Sequence, residues 1–253
     1  MSRRNFTAVF IADFLVRSAY QMGKTPLLPI FAASLGATDV LLGSIVAVST
    51  LTGMLSKPLF GIFSDRWGRR LWLFVGTAFF AIVPFLYRFV HTPEQLVLIR
   101  IIHGTATAIY GPVTVAFVAE QAQQHRGEKL GWFSMARSGG YILGPLLAGW
   151  LLLFVEPQAV FTLIGLLSLL AFVPVFLLSD AGQARLAQRM SLTGQTVAAL
   201  SAGIHTPAIW LSGILEATVY IALYAAKAFL PIYALSIGIN VAVVGAFLPC
   251  KKP

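Results

Sequence analysis

Apolar residues run through this chain in long blocks, and polar residues collect in the short gaps between them. A helix that crosses a bilayer needs about 20 predominantly apolar residues. Seven stretches meet that length: residues 6–33, 40–60, 71–90, 95–118, 130–154, 158–178 and 207–237. Gaps such as SLGATD, HTPE and VEPQ leave room only for a reversal, so neighbouring helices run antiparallel. One connection is long, residues 179–207. In it Leu186, Met190, Val197 and Leu200 recur at loosely helical spacing among Arg and Gln, which fits a helix lying on the membrane surface or a solvated linker. An eighth apolar run opens near Val241 and stops at Pro249 and two lysines, about half the length a span requires.

The pattern predicts an all-α polytopic membrane protein in three parts: a six-helix bundle over residues 1–180, a central loop over 181–206, and a seventh helix with a partial eighth over 207–253. Composition agrees. The 253 residues are 58% hydrophobic and 11% charged, against roughly 25% charged in soluble domains. A net charge of +9 invites a nucleic-acid reading, but that needs a basic patch on a soluble face. Here the basic residues lie mostly in gaps between apolar runs, where they orient helices. The expected partner is therefore the lipid bilayer, and nucleic acid is excluded.

Counting alternate gaps, one side receives Arg3, Arg4, Arg66, Arg69, Arg70, Arg126, Lys129, Arg185 and Arg189, and the other only Arg88. That bias puts the N-terminus, the gap after the second span and the central loop in the cytoplasm of a cell-membrane protein. The lone Cys250 excludes an internal disulfide and any multi-cysteine metal site. Asp13 and Arg17 interrupt the place where a signal peptide would have its apolar core, so the first run is expected to be a retained helix.

The gap after the second span reads GIFSDRWGRR, residues 61–70, a short charged hinge between two apolar runs. Gly61 lets another helix approach closely, and Gly68 permits a tight turn. Asp65 either accepts hydrogen bonds from arginines or faces a helix N-terminus. Gly61, Asp65, Arg66, Gly68, Arg69 and Arg70 resemble the signature between the second and third helices of the major facilitator superfamily, with Phe63 where Leu is commoner. LVLIRIIHGTA resembles the family's fourth-helix element through Arg100 and Gly104. GYILGPLLAG resembles the fifth-helix element of its proton-coupled exporters through Gly140, Gly144, Pro145 and Gly149, and PLLP resembles the close of its first helix through Pro26 and Pro29.

The resemblance implies two inverted three-helix repeats in the six-helix bundle, a family property that general treatments of transporters use as an example. It implies that Asp65 joins Arg69 and an acid ending the fourth helix, here Glu120, in a conformational latch between two halves. It implies that the fifth-helix glycine face packs on the eighth helix. Plain topology is the alternative for the latch; it accounts for the arginines but not for Asp65 or the glycine spacing. Pro26 and Pro29 are expected to end the first helix, and Gly111 and Pro112 to interrupt the fourth, at corresponding places of the two repeats.

Charges inside spans cost about 2.5–3.5 kcal/mol each at mid-helix and mark cavities or cross-helix pairs. Asp13 and Arg17 lie four apart on one helix face and can neutralise each other. By resemblance, Arg100 faces an acid of the first helix, for which Asp13 is the candidate. The alternative makes Asp13 and Arg17 a structural pair snorkelling outward at the interface. Glu216 is a third proton-coupling candidate, and Lys227 shares its helix. His103 and His205 read as ordinary polar residues, and Tyr20, Tyr110, Tyr141 and Tyr220 as cavity-lining or packing aromatics.

These features imply a secondary transporter and not an enzyme. The expected activity is export of a small organic solute in exchange for protons, and the objection is length, since the chain holds one six-helix half, a seventh helix and a stump. The competing expectations are a truncated, transport-incompetent fragment, one chain of a split transporter whose partner supplies the missing helices, or uptake of a sugar or metabolite. No Gly-x-x-x-x-Gly-Lys-Ser/Thr sequence is present, so the expected energy source is a proton gradient, with no cofactor or metal. Tags at the amino end and after Gly68 should be reached by impermeant reagents only in broken cells; labelling of either in intact cells overturns the orientation.

Overall fold

The computed structural model describes residues 3–121, 125–179 and 191–247. All the regular structure among them is helical. Helix α1 (Arg3–Met22) gives way to a π-helical segment (Gly23–Leu27) and resumes as α2 (Leu28–Ser34). Then come α3 (Asp39–Trp67), α4 (Arg69–Leu86), α5 (Pro93–Gln121), α6 (Arg126–Leu151), α7 (Pro157–Leu170) and α8 (Phe172–Phe176). Helices α9 (Leu192–Ile204), α10 (Pro207–Ser236) and α11 (Val241–Phe247) complete the order.

Local chemistry sets the helix starts. Thr38 caps α3, its hydroxyl accepting from Leu41 N at 3.4 Å, and Asp39 follows in the first turn. Thr92 and Gln95 cap α5 reciprocally: Thr92 Oγ1 accepts from Gln95 N at 3.4 Å, and Gln95 Oε1 from His91 N at 2.8 Å and Thr92 N at 3.3 Å. Pro157 and Pro207 open α7 and α10, where a missing N–H costs nothing.

Several boundaries differ from the apolar pattern. The charged stretch is not a hinge: α3 continues through Asp65 and Arg66 to Trp67, and the break is Gly68 alone, at φ 96°. A glycine there lets two long helices meet across one residue. Pro26 and Pro29 do not end the first helix. The helix breaks at Thr25 (φ −154°, ψ 126°), and Pro29 sits in the first turn of α2, where proline is tolerated. Gly111 and Pro112 do not interrupt the fourth span, since α5 runs through both. In the central connection Leu192–Ile204 is helical, capped by Ser191 Oγ accepting from Gly194 N at 3.1 Å. Leu186, Met190, Arg185 and Arg189 lie outside the described residues, as does Cys250.

Five helical stretches are long and apolar enough to cross a membrane: Asp39–Trp67, Arg69–Phe89, Pro93–Glu120, Pro157–Phe176 and Pro207–Ser236. The other two expected spans correspond to α1 with α2, and to α6. These carry Asp13, Arg17 and Lys24, and Arg126, Lys129 and Arg137, respectively, and α1 and α6 pack along each other.

Helix α3 packs along α5, α4 against α5 and α7, and α6 against α11. The core lies in two clusters stacked along the bundle. One gathers Leu28, Phe31, Ile45, Tyr87 and Phe161; the other gathers Val9, Val16, Leu73, Phe80 and Phe117 near the Gly68 joint. Asn5 closes the bundle, donating to Ser179 O at 3.1 Å and accepting from Ser179 N at 3.3 Å. Helix α10 contacts α2, α3 and the π-helical segment, but most of its first half is exposed.

The α1–α6 interface depends on missing side chains. A Cβ at Gly144 would stand 2.6 Å from Gln21 Cβ and 2.9 Å from Met22 N, and one at Gly140 would stand 3.0 Å from Ser18 N. Gly144→Val should therefore lower unfolding stability in detergent by about 1–3 kcal/mol through overpacking. Gly131→Ala, on the same helix with nothing within 4 Å, should leave the thermal midpoint unchanged. Equal midpoints for the two variants would contradict the close approach.

Candidate functional site

Three polar clusters interrupt the apolar packing, and each joins helices that are distant in sequence. The first sits at the Gly68 joint. Arg69, the first residue of α4, turns back to bridge two carboxylates. It pairs with Asp65 one turn earlier on α3, and its Nε and Nη2 donate to Glu120 Oε1 at 3.2 and 2.6 Å. It also donates to Ser64 Oγ and, at 3.4 Å, to Gly61 O. Arg70 donates to Phe176 O at 3.0 Å. This cluster ties α3, α4, α5 and α8 at one end of the bundle.

Of the two roles open to Asp65, the geometry is that of an acceptor for arginine. Among the described residues nothing lies within 4 Å of a Cβ built at Gly61. Its carbonyl is the part in use, accepting from Arg69 and from Ser64 Oγ at 2.8 Å.

The second cluster is inside the bundle. Asp13 on α1 is fully buried and pairs with two arginines, Arg17 Nη2 at 3.3 Å and Arg137 Nε at 3.3 Å. Arg137 lies on α6, and its Nη2 also donates to Thr114 Oγ1 at 2.9 Å and Gly111 O at 3.2 Å on α5. One guanidinium thus links three helices. Asp13 does not snorkel outward, because α6 covers it and Arg137 satisfies its second oxygen.

Arg100 does not reach Asp13. It forms the third cluster, donating to Ile45 O at 3.3 Å and to Ser49 Oγ on α3, with Tyr87 and Tyr20 as further hydrogen-bond partners. His103, read from the sequence as an ordinary polar residue, is hydrogen-bonded through Nδ1 to Tyr87 Oη at 3.1 Å and lies buried against the Tyr20 and Phe80 rings. Lys24, in the π-helical break, is buried and donates from Nζ to Tyr224 Oη at 3.1 Å. Its ammonium stands 4.4 Å from the Tyr224 ring centroid and 5.8 Å from that of Tyr20.

Glu216 is exposed on α10 and is joined to neither Asp13 nor Arg100. Lys227 stands 5.9 Å from the Tyr141 ring centroid, and Tyr220 packs on Tyr224 at 5.5 Å. Tyr110 is buried against Phe80. His205 ends α9, its Nδ1 2.8 Å from Ser201 O.

The fifth-span glycines divide between two neighbours. Gly140 and Gly144 receive α1, as described above. Gly149 receives α11, where a Cβ would stand 2.9 Å from Gly245 Cα, and Pro145 O lies against Gly245 as well. The single described stretch of the eighth apolar run is therefore enough to meet that face. Among the described residues no three His, Cys, Asp or Glu side chains cluster as metal ligands.

Sequence reading missed Arg137, Lys24, Ser49, Tyr87 and Tyr224. The signal for the first two was present: both are cations inside runs assigned as spans, at 130–154 and 6–33. The other three are uncharged, and only packing shows what they hold.

A family model described as Major Facilitator Superfamily matches residues 9–250. Quinolone resistance protein NorA of Staphylococcus aureus is 30% identical over 149 residues, which are 58% of this chain and 38% of that protein. Multidrug resistance protein 1 of Bacillus subtilis is 29% identical over 153 residues, 60% of this chain and 39% of that protein. The chain thus matches about two fifths of the length of these curated relatives. Among solved structures, a D-xylose-proton symporter superposes with a TM-score of 0.69 at 15% identity, covering 97% of this chain and 64% of its own. The nucleoside transporter NupG gives 0.75 at 17% identity, covering 96% and 63%. At these identities the two structures speak for the fold.

Removing the buried carboxylate between two partly buried cations should be costly, because the cations then face each other without compensation. Asp13→Asn is expected to destabilise the detergent-solubilised protein by about 3–5 kcal/mol. Arg137→Met combined with Asp13→Asn should cost less than the sum of the single changes. Additive costs, read from thermal midpoints, would show that the pair does not interact.

Proposed function

The chain belongs to the Major Facilitator Superfamily, and from that premise we propose that it acts as a secondary transporter that exports a small organic solute in exchange for protons by alternating access. The observation that carries the proton-coupled reading is Asp13, fully buried and held between Arg17 and Arg137. A carboxylate in that position is the group whose protonation changes the packing of α1 on α6. Neutralising it removes both ion pairs and leaves two partly buried cations repelling each other, which favours separation of the helices. Solute binding and proton binding then compete through one mobile interface.

The Arg69 cluster supports the second requirement, a gate at one end. Its three ionised groups come from α3, α4 and α5, and Asp65 and Glu120 are half-buried, so they can exchange partners with a facing helix at modest cost. In this reading the cluster latches the cytoplasmic side closed and the N-terminus lies in the cytoplasm. Export is favoured over uptake by the relatives named for quinolone and multidrug resistance, since a membrane protein confers resistance most directly by moving a toxic solute outward.

In everted cell-membrane vesicles with an imposed acidic lumen, a panel of labelled cationic, anionic and neutral solutes should include at least one that accumulates and is lost on adding an uncoupler. Asp13→Asn should reduce that gradient-driven accumulation at least tenfold. Arg69→Ala should slow it while leaving its dependence on the gradient. Absence of gradient-driven accumulation of every solute class would refute the transporter reading for this chain.

A further inference from the structure

The third cluster holds two buried cations and no carboxylate. Among the described residues, Asp13 is committed to Arg17 and Arg137, and Asp65 and Glu120 to Arg69, while the remaining carboxylates are exposed. Arg100 donates to Ile45 O and Ser49 Oγ, with Tyr87 and Tyr20 beside it. The Lys24 ammonium carries three N–H donors, and only Tyr224 Oη accepts one of them within the described chain.

A hydrogen-bond relay fixes a further donor beside it. Tyr87 Oη stands 3.1 Å from His103 Nδ1 and beside Arg100, which can only donate, so the Tyr87 proton is directed to His103 Nδ1. That holds His103 in the tautomer with hydrogen on Nε2, and Nε2 is buried with no partner among the described residues. Lys24 and His103 flank the Tyr20 ring, the ammonium 5.8 Å and the imidazole 5.2 Å from its centroid. The backbone is broken at this point, in the π-helical segment that carries Lys24. Interrupted helices near the middle of a transporter are where solutes are bound.

We propose that Lys24, set between Tyr20 and Tyr224, binds a carboxylate or comparable anionic oxygen group of the transported solute, with His103 Nε2 donating to a second acceptor on it. The substrate class is then organic anions. This rests on the transporter reading above and adds the charge of its cargo. Arg100 is a positioning residue here, holding Tyr87 and raising the local positive potential without itself contacting the anion.

The test uses the full chain in neutral detergent at constant ionic strength, with benzoate as the anionic probe and benzamide as its neutral counterpart. Benzoate should raise the thermal midpoint in a saturable way, with a dissociation constant at least tenfold lower than that of benzamide. Lys24→Met should abolish the difference between the two probes. Tyr224→Phe, which frees the third ammonium donor, should retain it. Equal effects of benzoate and benzamide on the wild-type protein overturn the proposal, whatever the variants do. Sulfate matching benzoate would assign the site to inorganic anions, and displacement of benzoate by phosphatidylglycerol in mixed micelles would assign it to a lipid headgroup; either overturns the solute assignment. Binding is read at equilibrium without a gradient, so failure here removes the anion site alone. Failure of gradient-driven accumulation removes the transporter reading instead.

Discussion

A charge placed in a nonpolar interior must find its complement there, and this fold is organised around that constraint. Asp13 is fully buried on α1 and is met by two arginines, one of which, Arg137, comes from α6. The pair specifies which helices are neighbours, since apolar packing in lipid supplies little preference between one greasy face and another. Arg137 extends the same logic to α5 through Thr114 and Gly111. Charge therefore does in this chain what a hydrophobic stripe does in a soluble bundle.

Glycine makes those pairings reachable. The guanidinium of Arg137 meets Asp13 because α1 and α6 lie close enough for Gly140 and Gly144 to touch the α1 backbone. The same device recurs between Gly149 and Gly245, where two helices meet with no side chain on either at the crossing. At Gly68 the requirement is different: a positive φ lets α3 end and α4 begin within one residue. Arg69 then folds back on Asp65 and out to Glu120. The short joint and the ion cluster are thus one feature, since a longer loop would leave Arg69 unable to span both acids.

The three clusters differ in how fully their charges are matched. The Arg69 cluster has two acids for one base and lies half-exposed. The Asp13 cluster sets one fully buried acid against two partly buried bases. The Lys24 cluster contains no acid among the described residues.

Much of the architecture was legible in the chain. Long apolar runs, short polar gaps and the spacing of GIFSDRWGRR announced a helical membrane bundle and its family, because the cost of exposing backbone to lipid leaves few alternatives. The meeting of Asp65, Arg69 and Glu120 was readable through resemblance, and the Asp13–Arg17 pair through helical periodicity. The helix ends were less legible: α3 runs past the apolar boundary because charged residues at a membrane edge remain good helix formers, and α5 continues through Pro112. Which partners the buried charges choose was decided only in three dimensions. Sequence shows that Arg100, Arg137 and Lys24 lie inside spans; it does not say that Arg100 turns to Ser49 and tyrosines while Arg137 takes Asp13. That choice depends on the rotation and depth of each helix against its neighbours, and those are set by close packing over the whole bundle.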